Sequence, residues 1–130
     1  AAILKVKLKA LDQYIANRQL AAAFYDKQLR LVDWLSIPVR ASYSTHVFHQ
    51  YTILVNSRDR DKIKNHLQEK GIPSMVYYPV ALHKTDAYRY AGIENLNASE
   101  TLTSRVLSLP MHTELTEDQL MYICDTINTL

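Results

Sequence analysis

Two phenols and an imidazole stand within one short run, Val76-Tyr77-Tyr78-Pro79-Val80-Ala81-Leu82-His83. Tyr and His both stack on a flat ring and hydrogen-bond a hydroxyl or phosphate, so the run suits contacts to a nucleotide or a sugar. The same residues also fit a plainer role, in which Tyr77 and Tyr78 cap a core edge and His83 is polar surface. Other chemistry is sparse. Of the five histidines, His46 and His49 lie three apart on a predicted strand and therefore face opposite ways. His66 falls in a predicted helix with no His or Cys at a matching spacing, and no metal site is expected. The two glycines stand far apart, which leaves no phosphate-cradling loop, and no nucleophile elbow is present. No catalytic set is complete. His49 sits in a run where histidine is commonly a satisfied core residue, and Arg105 suits either an ion pair or a solvated face.

The elements that position the run follow from pattern. Gly71 closes a helical pattern and Pro73 stops it continuing, so Ser74 to Tyr78 is predicted to extend as a strand. Pro79 cannot donate to a ladder and biases Tyr78 toward an extended conformation, so Val80 to His83 is released as a loop. Upstream, Leu4, Leu8, Leu11, Ile15, Ala22, Tyr25 and Leu29 recur at three- and four-residue steps and predict one helix over about residues 1–31, about eight turns long. Ile3, Val6, Ala10 and Phe24 widen its apolar surface. Two readings fit: contact with something beyond this domain, or a wide stripe buried within it. The chain starts without Met, inside this pattern and with no capping residue, which reads as a cut through a longer protein.

Trp34, Leu35 and Ile37 follow, with Pro38 marking the exit into an extended segment. Val47 to Val55 is the strongest strand signal, apolar on both faces, and is expected to be a central strand covered on both sides. Asn56 or Ser57 is placed to cap the next helix, Asp59 and Asp61 suit its first turn, and Ile63 and Leu67 its inward face. Thr85 to Tyr90 is a candidate short helix ending near Gly92. Asn97 with Glu100, and Thr116 with Gln119, have capping-box spacing; between the helices they open, Leu107 to Leu109 is a short strand. Leu120, Ile123, Ile127 and Leu130 form the stripe of the last helix. The expected fold class is α/β (α+β): a small sheet with helices packed on it, over about residues 32–130, behind a long N-terminal helix.

At 130 residues, 48% of them hydrophobic, the chain reads as one domain with a real core. Fifteen basic residues are scattered among thirteen acids for a net charge of +2, which leaves no footprint for nucleic acid. No apolar run is long enough to span a bilayer, and the N-terminus lacks a signal-peptide layout. The single cysteine, Cys124, fits a reducing compartment, and cytoplasm is the expected location. On its apolar stripe Cys124 reads as a buried thiol.

Four segments carry a family resemblance. Ala1 to Phe24, then His46-Val47-Phe48-His49-Gln50-Tyr51, then Val76 to His83, then Ser104-Arg105-Val106-Leu107-Ser108-Leu109-Pro110-Met111 resemble, in order, motifs of the small domain of the nucleotide-sugar aminotransferases, the DegT/DnrJ/StrS-type enzymes of pyridoxal phosphate fold type I. Together they span nearly the whole chain. Ala81 and Tyr77 depart from the pattern, where proline and histidine are common. The resemblance implies the C-terminal part of a homodimeric enzyme that moves an amino group from glutamate to a keto-sugar nucleotide. The cofactor-binding aspartate and Schiff-base lysine would belong to a large domain upstream of Ala1, so no catalytic residue is carried over and the segment alone is expected to be inactive and free of cofactor. Tyr77, Tyr78 and His83 are implied substrate contacts, with His49 a fourth. A dehydratase of the same family fits the segment too. Two other readings differ in class: a free-standing nucleotide- or sugar-binding module, and an interaction domain dimerising through the first helix.

Overall fold

The structure is a computed structural model, and it describes residues 1–56, 59–88, 90, 92 and 94–130. The element order is α1 (Ala2–Leu8), α2 (Leu11–Leu29), β1 (Leu35–Ser36), β2 (Tyr51–Val55), α3 (Arg60–Glu69), a 3₁₀ turn (Leu82–Lys84), α4 (Asn97–Arg105), β3 (Val106–Leu109) and α5 (Glu117–Asn128). The α/β class read from the sequence holds. The strands form one antiparallel sheet in the order β1-β2-β3, with Tyr51 opposite Leu109 and Leu35 opposite Val55.

This register puts Leu35, Tyr51, Ile53, Val55, Leu107 and Leu109 on one face, and all six are buried. Ala22, Tyr25 and Leu29 of α2, Ile63 and Leu67 of α3, and Ile123, Cys124 and Ile127 of α5 join them in a single core. Each large apolar side chain sealed there contributes about 1.5–3 kcal/mol. Tyr25 ties the layers together: its ring lies 4.8 Å from that of Tyr51, and its hydroxyl donates to the Pro110 carbonyl at 2.9 Å. On the opposite face of β2, Thr52 and Leu54 are only half-buried. The central strand is thus sealed on one side, not on both.

Several sequence expectations are corrected. The first helix is not continuous. The Lys9 and Ala10 amides bond back three residues, to Val6 and Lys7, and Ala10 lies at φ −104, ψ 4, so α1 and α2 are separate helices. No residue of α1 is buried, and Leu4 and Leu8 are largely exposed, so no core packing among the described residues holds α1 in line with α2. The Val47–Val55 strand keeps only Tyr51–Val55. Phe48 adopts φ 48, its amide donates to His46 Nδ1 at 2.9 Å, and its ring is buried, so the chain turns there instead of extending. The Ser74–Tyr78 strand reduces to one bridge, Met75 to Ser108, between Pro73 and Pro79. Those prolines withhold the donors that a longer ladder needs. The Tyr77–Tyr78 peptide bond is cis.

The unforeseen strand is β1, with Asn56 N–H bonding Trp34 O at 2.8 Å just beyond it. Helix α3 is capped by Asp59, whose Oδ1 accepts from the Asp61 and Lys62 amides, not by Asn56; the alternative, Ser57, lies outside the described residues. Its other end is a Schellman turn: Gly71 sits at φ 72, Gly71 N–H reaches Gln68 O, and Ile72 N–H reaches Leu67 O. The expected Thr85–Tyr90 helix is replaced by the 3₁₀ turn at Leu82–Lys84 followed by turns through Tyr88; Arg89 lies outside the described residues. The Asn97–Glu100 capping box is absent, because Leu96 is the N-cap and Glu100 is engaged elsewhere. The Thr116–Gln119 box is present in both directions. Arg105 takes neither expected role: its Nε donates to Val55 O at 3.0 Å and its Nη2 to Asn56 Oδ1, clasping the end of β2.

Candidate functional site

The 72–85 segment is fixed at both ends and open in the middle. Ile72 is buried behind α3, and Met75 exchanges both backbone bonds with Ser108 at 3.1 and 2.7 Å. Beyond the exposed middle, Ala81 is buried again, and the 3₁₀ turn is closed by the Lys84 and Thr85 amides on Ala81 O and Leu82 O. Between these anchors stand Tyr77 and Tyr78, 37% and 72% exposed, their rings edge-on with centroids 5.7 Å apart. Neither phenol has a hydrogen-bond partner among the described residues. They present two aromatic edges and two unspent hydroxyls, a surface able to pack on a ring and bind its polar substituents.

His83 behaves differently. Its side chain is 6% exposed, and Nε2 lies 3.1 Å from Glu100 Oε1, while Lys84 Nζ lies 2.6 Å from Glu100 Oε2. The two hydrogen bonds, from Lys84 first and then His83, hold the Glu100 carboxyl below the ordinary carboxylate value. The cluster clamps the loop to α4, leaving His83 only Nδ1 for another contact. Sequence reasoning missed Glu100 and Lys84 as members of this cluster. Glu100 has a familiar capping position three residues after Asn97, and nothing in its local spacing points to a partner seventeen residues back.

The fourth predicted residue, His49, is not with the other three. It is exposed and lines a separate cleft of about 640 Å³ between α2 and the 38–52 segment, to which no residue of 76–83 contributes. The wall is held by Asp26, whose Oδ2 accepts from Arg40 Nε and Nη2 at 2.8 and 2.5 Å and whose Oδ1 accepts from the Tyr51 hydroxyl at 2.7 Å. Burial, then the bond to Asp26, push the Tyr51 phenol well up. The Arg40 guanidinium lies 4.0 Å over the Phe48 ring. No sequence signal connected Asp26, Arg40 and Tyr51, because their spacing has no helical or strand period.

No lysine lines this cleft or the smaller ones described, and Lys84 is committed to Glu100. These clefts therefore offer no amine to an aldehyde cofactor. Among them no group of three potential metal ligands converges, and no helix is long and apolar enough to cross a membrane.

The helix-backed antiparallel sheet matches the fold of solved aminotransferases. DesV of S. venezuelae, solved in complex with a ketimine intermediate, superposes with a TM-score of 0.92 at 28% identity, covering 98% of this chain and 34% of that one. Residues 1–128 match the DegT/DnrJ/EryC1/StrS aminotransferase family, and the chain belongs to it. A UDP-N-acetyl-3-dehydro-alpha-D-glucosamine 3-aminotransferase of Acidithiobacillus ferrooxidans is 37% identical over 98% of this chain and 34% of its own length. A pleiotropic regulatory protein of Geobacillus stearothermophilus is 38% identical over 98% of this chain and 35% of its own. The chain thus spans about a third of the length of the curated relatives it matches. The resemblance carried by the four motifs is borne out at the level of the family.

Proposed function

We propose that this chain is the small domain of a pyridoxal phosphate-dependent aminotransferase that transfers an amino group from glutamate to a keto-sugar nucleotide, working as a homodimer in the cytoplasm. The observation that carries this is the exposed Tyr77–Tyr78 pair, unspent as hydrogen-bond donors and held between two anchored ends, in a chain whose relatives act on nucleotide sugars. Tyr77 and Tyr78 contact the nucleotide sugar, His83 holds their loop on α4 and offers its remaining nitrogen, and His49 contributes from the neighbouring cleft. The cofactor supplies the electron sink for transamination. In this reading its lysine and aspartate belong to a large domain outside this chain. The chain's share is to bind and orient the substrate, which lowers the barrier by fixing geometry without supplying a reacting group.

The test is a titration of the chain with UDP and dTDP, followed by NMR. Saturable shifts at Tyr77 and Tyr78 that Tyr77→Phe or Tyr78→Phe removes are expected. A folded chain that shows none would take the 76–83 loop out of the substrate site. With pyridoxal phosphate and glutamate added, the chain alone is expected to produce no amino sugar.

A further inference from the structure

The cleft between α2 and the 38–52 segment is a built wall with a marked chemical bias. Its volume, about 640 Å³, lies within the range of small-molecule sites. Among the described residues no aspartate or glutamate lines it, and Arg40 is the one permanent cation. Arg40 spends Nε and Nη2 on Asp26, which lies outside the lining, and keeps Nη1. His46 accepts the Phe48 amide at Nδ1, so its neutral ring carries the proton on Nε2 and donates from there. His49 and Gln50 have no hydrogen-bond partner among the described residues. Gln19 Nε2 donates to His46 O at 3.0 Å and pins this stretch against α2, so the donors are held in place before any ligand arrives.

From this excess of donors we infer that the cleft binds an anionic oxygen group, carboxylate or phosphoryl, on a small organic ligand. Arg40 Nη1 and the His46 and His49 rings are its donors. Such a group accepts several hydrogen bonds at once, and the one carboxylate behind the wall, Asp26, is already engaged by Arg40 and by the Tyr51 hydroxyl. Within the proposed function, on which the inference rests only through His49, the group belongs to the amino donor or to the nucleotide.

Inorganic phosphate and glutarate are titrated separately into the chain at ionic strength matched with sodium chloride, with the His46 and His49 ring signals followed by NMR. Saturable shifts with at least one probe are expected, and which probe saturates assigns phosphoryl or carboxylate. His49→Ala, at an exposed position, and Arg40→Gln are each expected to weaken binding about tenfold, as for loss of a hydrogen bond to a charged group. Shifts that rise linearly and match the chloride control, or saturable binding unchanged in a folded His49→Ala chain, overturn the inference. UDP titrations are read at Tyr77 and Tyr78 instead. Phosphate or glutarate binding in the cleft without UDP shifts there removes the tyrosine site and leaves this one standing; the reverse result does the opposite.

Discussion

Tyr51 donates its phenol hydrogen to Asp26 across 2.7 Å, joining the first residue of the central strand to the last turn of α2. The ring is fully buried, so the hydroxyl has no water to fall back on. Tyr51→Phe removes a bond to a charged acceptor and is expected to destabilise the chain by about 1–3 kcal/mol in urea unfolding. Arg40→Met removes the more exposed partner of the same carboxylate and is expected to cost about 1 kcal/mol or less. Equal losses would show that the buried hydroxyl is not the stronger tie.

Glu100 makes stability depend on acid. Its carboxyl is held below the ordinary value of 4.5, by the Lys84 hydrogen bond first and His83 second. The folded chain therefore binds this proton less readily than the unfolded one. The stabilisation is complete above 4.5 and is lost as pH falls from there through the depressed folded value. Glu100→Gln is expected to lower the melting temperature near neutral pH and to converge on the parent chain in acid. A gap that stays constant from about pH 7 to about pH 3 would assign the effect to something other than this carboxylate.

Gly71 isolates a backbone effect. A Cβ there would meet nothing within 4 Å, yet φ is +72. Gly71→Ala is expected to cost about 1 kcal/mol from the left-handed conformation alone, with Gly71→Asn costing less. Circular-dichroism melts of the two variants check the order.

Helix α1 should be indifferent to its apolar side chains within this chain. Leu4 and Leu8 are largely exposed, so Leu4→Ser combined with Leu8→Ser is expected to shift the unfolding free energy by no more than about 0.5 kcal/mol. A loss of several kcal/mol would mean that these residues are covered in solution.

Cys124 is fully buried, and burial pushes its thiol up to about 12. A thiol reagent at mildly alkaline pH is expected to label it only after denaturant is added. Labelling of the native chain on the timescale of a free thiol would contradict that packing.

The readable parts of this fold are those whose causes are local. Thr116 and Gln119 cap each other over three residues, Ile63 and Leu67 share one helix face, and Gly71 ends its helix by its own backbone freedom. The β-branched and aromatic run likewise marked Tyr51 to Val55 as a strand, but with apolar residues on both faces it did not tell which face is sealed. What escaped depends on partners far along the chain. Ala10 breaks the first helix although alanine favours helix, and Phe48 turns left-handed as its ring enters the core. Strand β1 has only two residues and pairs across a long loop. At the candidate site, the aromatic pair was visible as residue types, whereas the pairing of His83 with Glu100, and the seating of His49 apart from it, arise only when α4 and the 38–52 segment fold into place.

The brevity of β1 and the single Met75–Ser108 bridge bear on how copies of the chain meet one another. A sheet invites another strand along any long run of unpaired amides and carbonyls at its rim. Here one rim is two residues long, and the other is occupied at Ser108 by a segment bracketed by Pro73 and Pro79. Neither rim offers a template on which amyloid-like stacking could propagate, so copies that meet must do so through side chains.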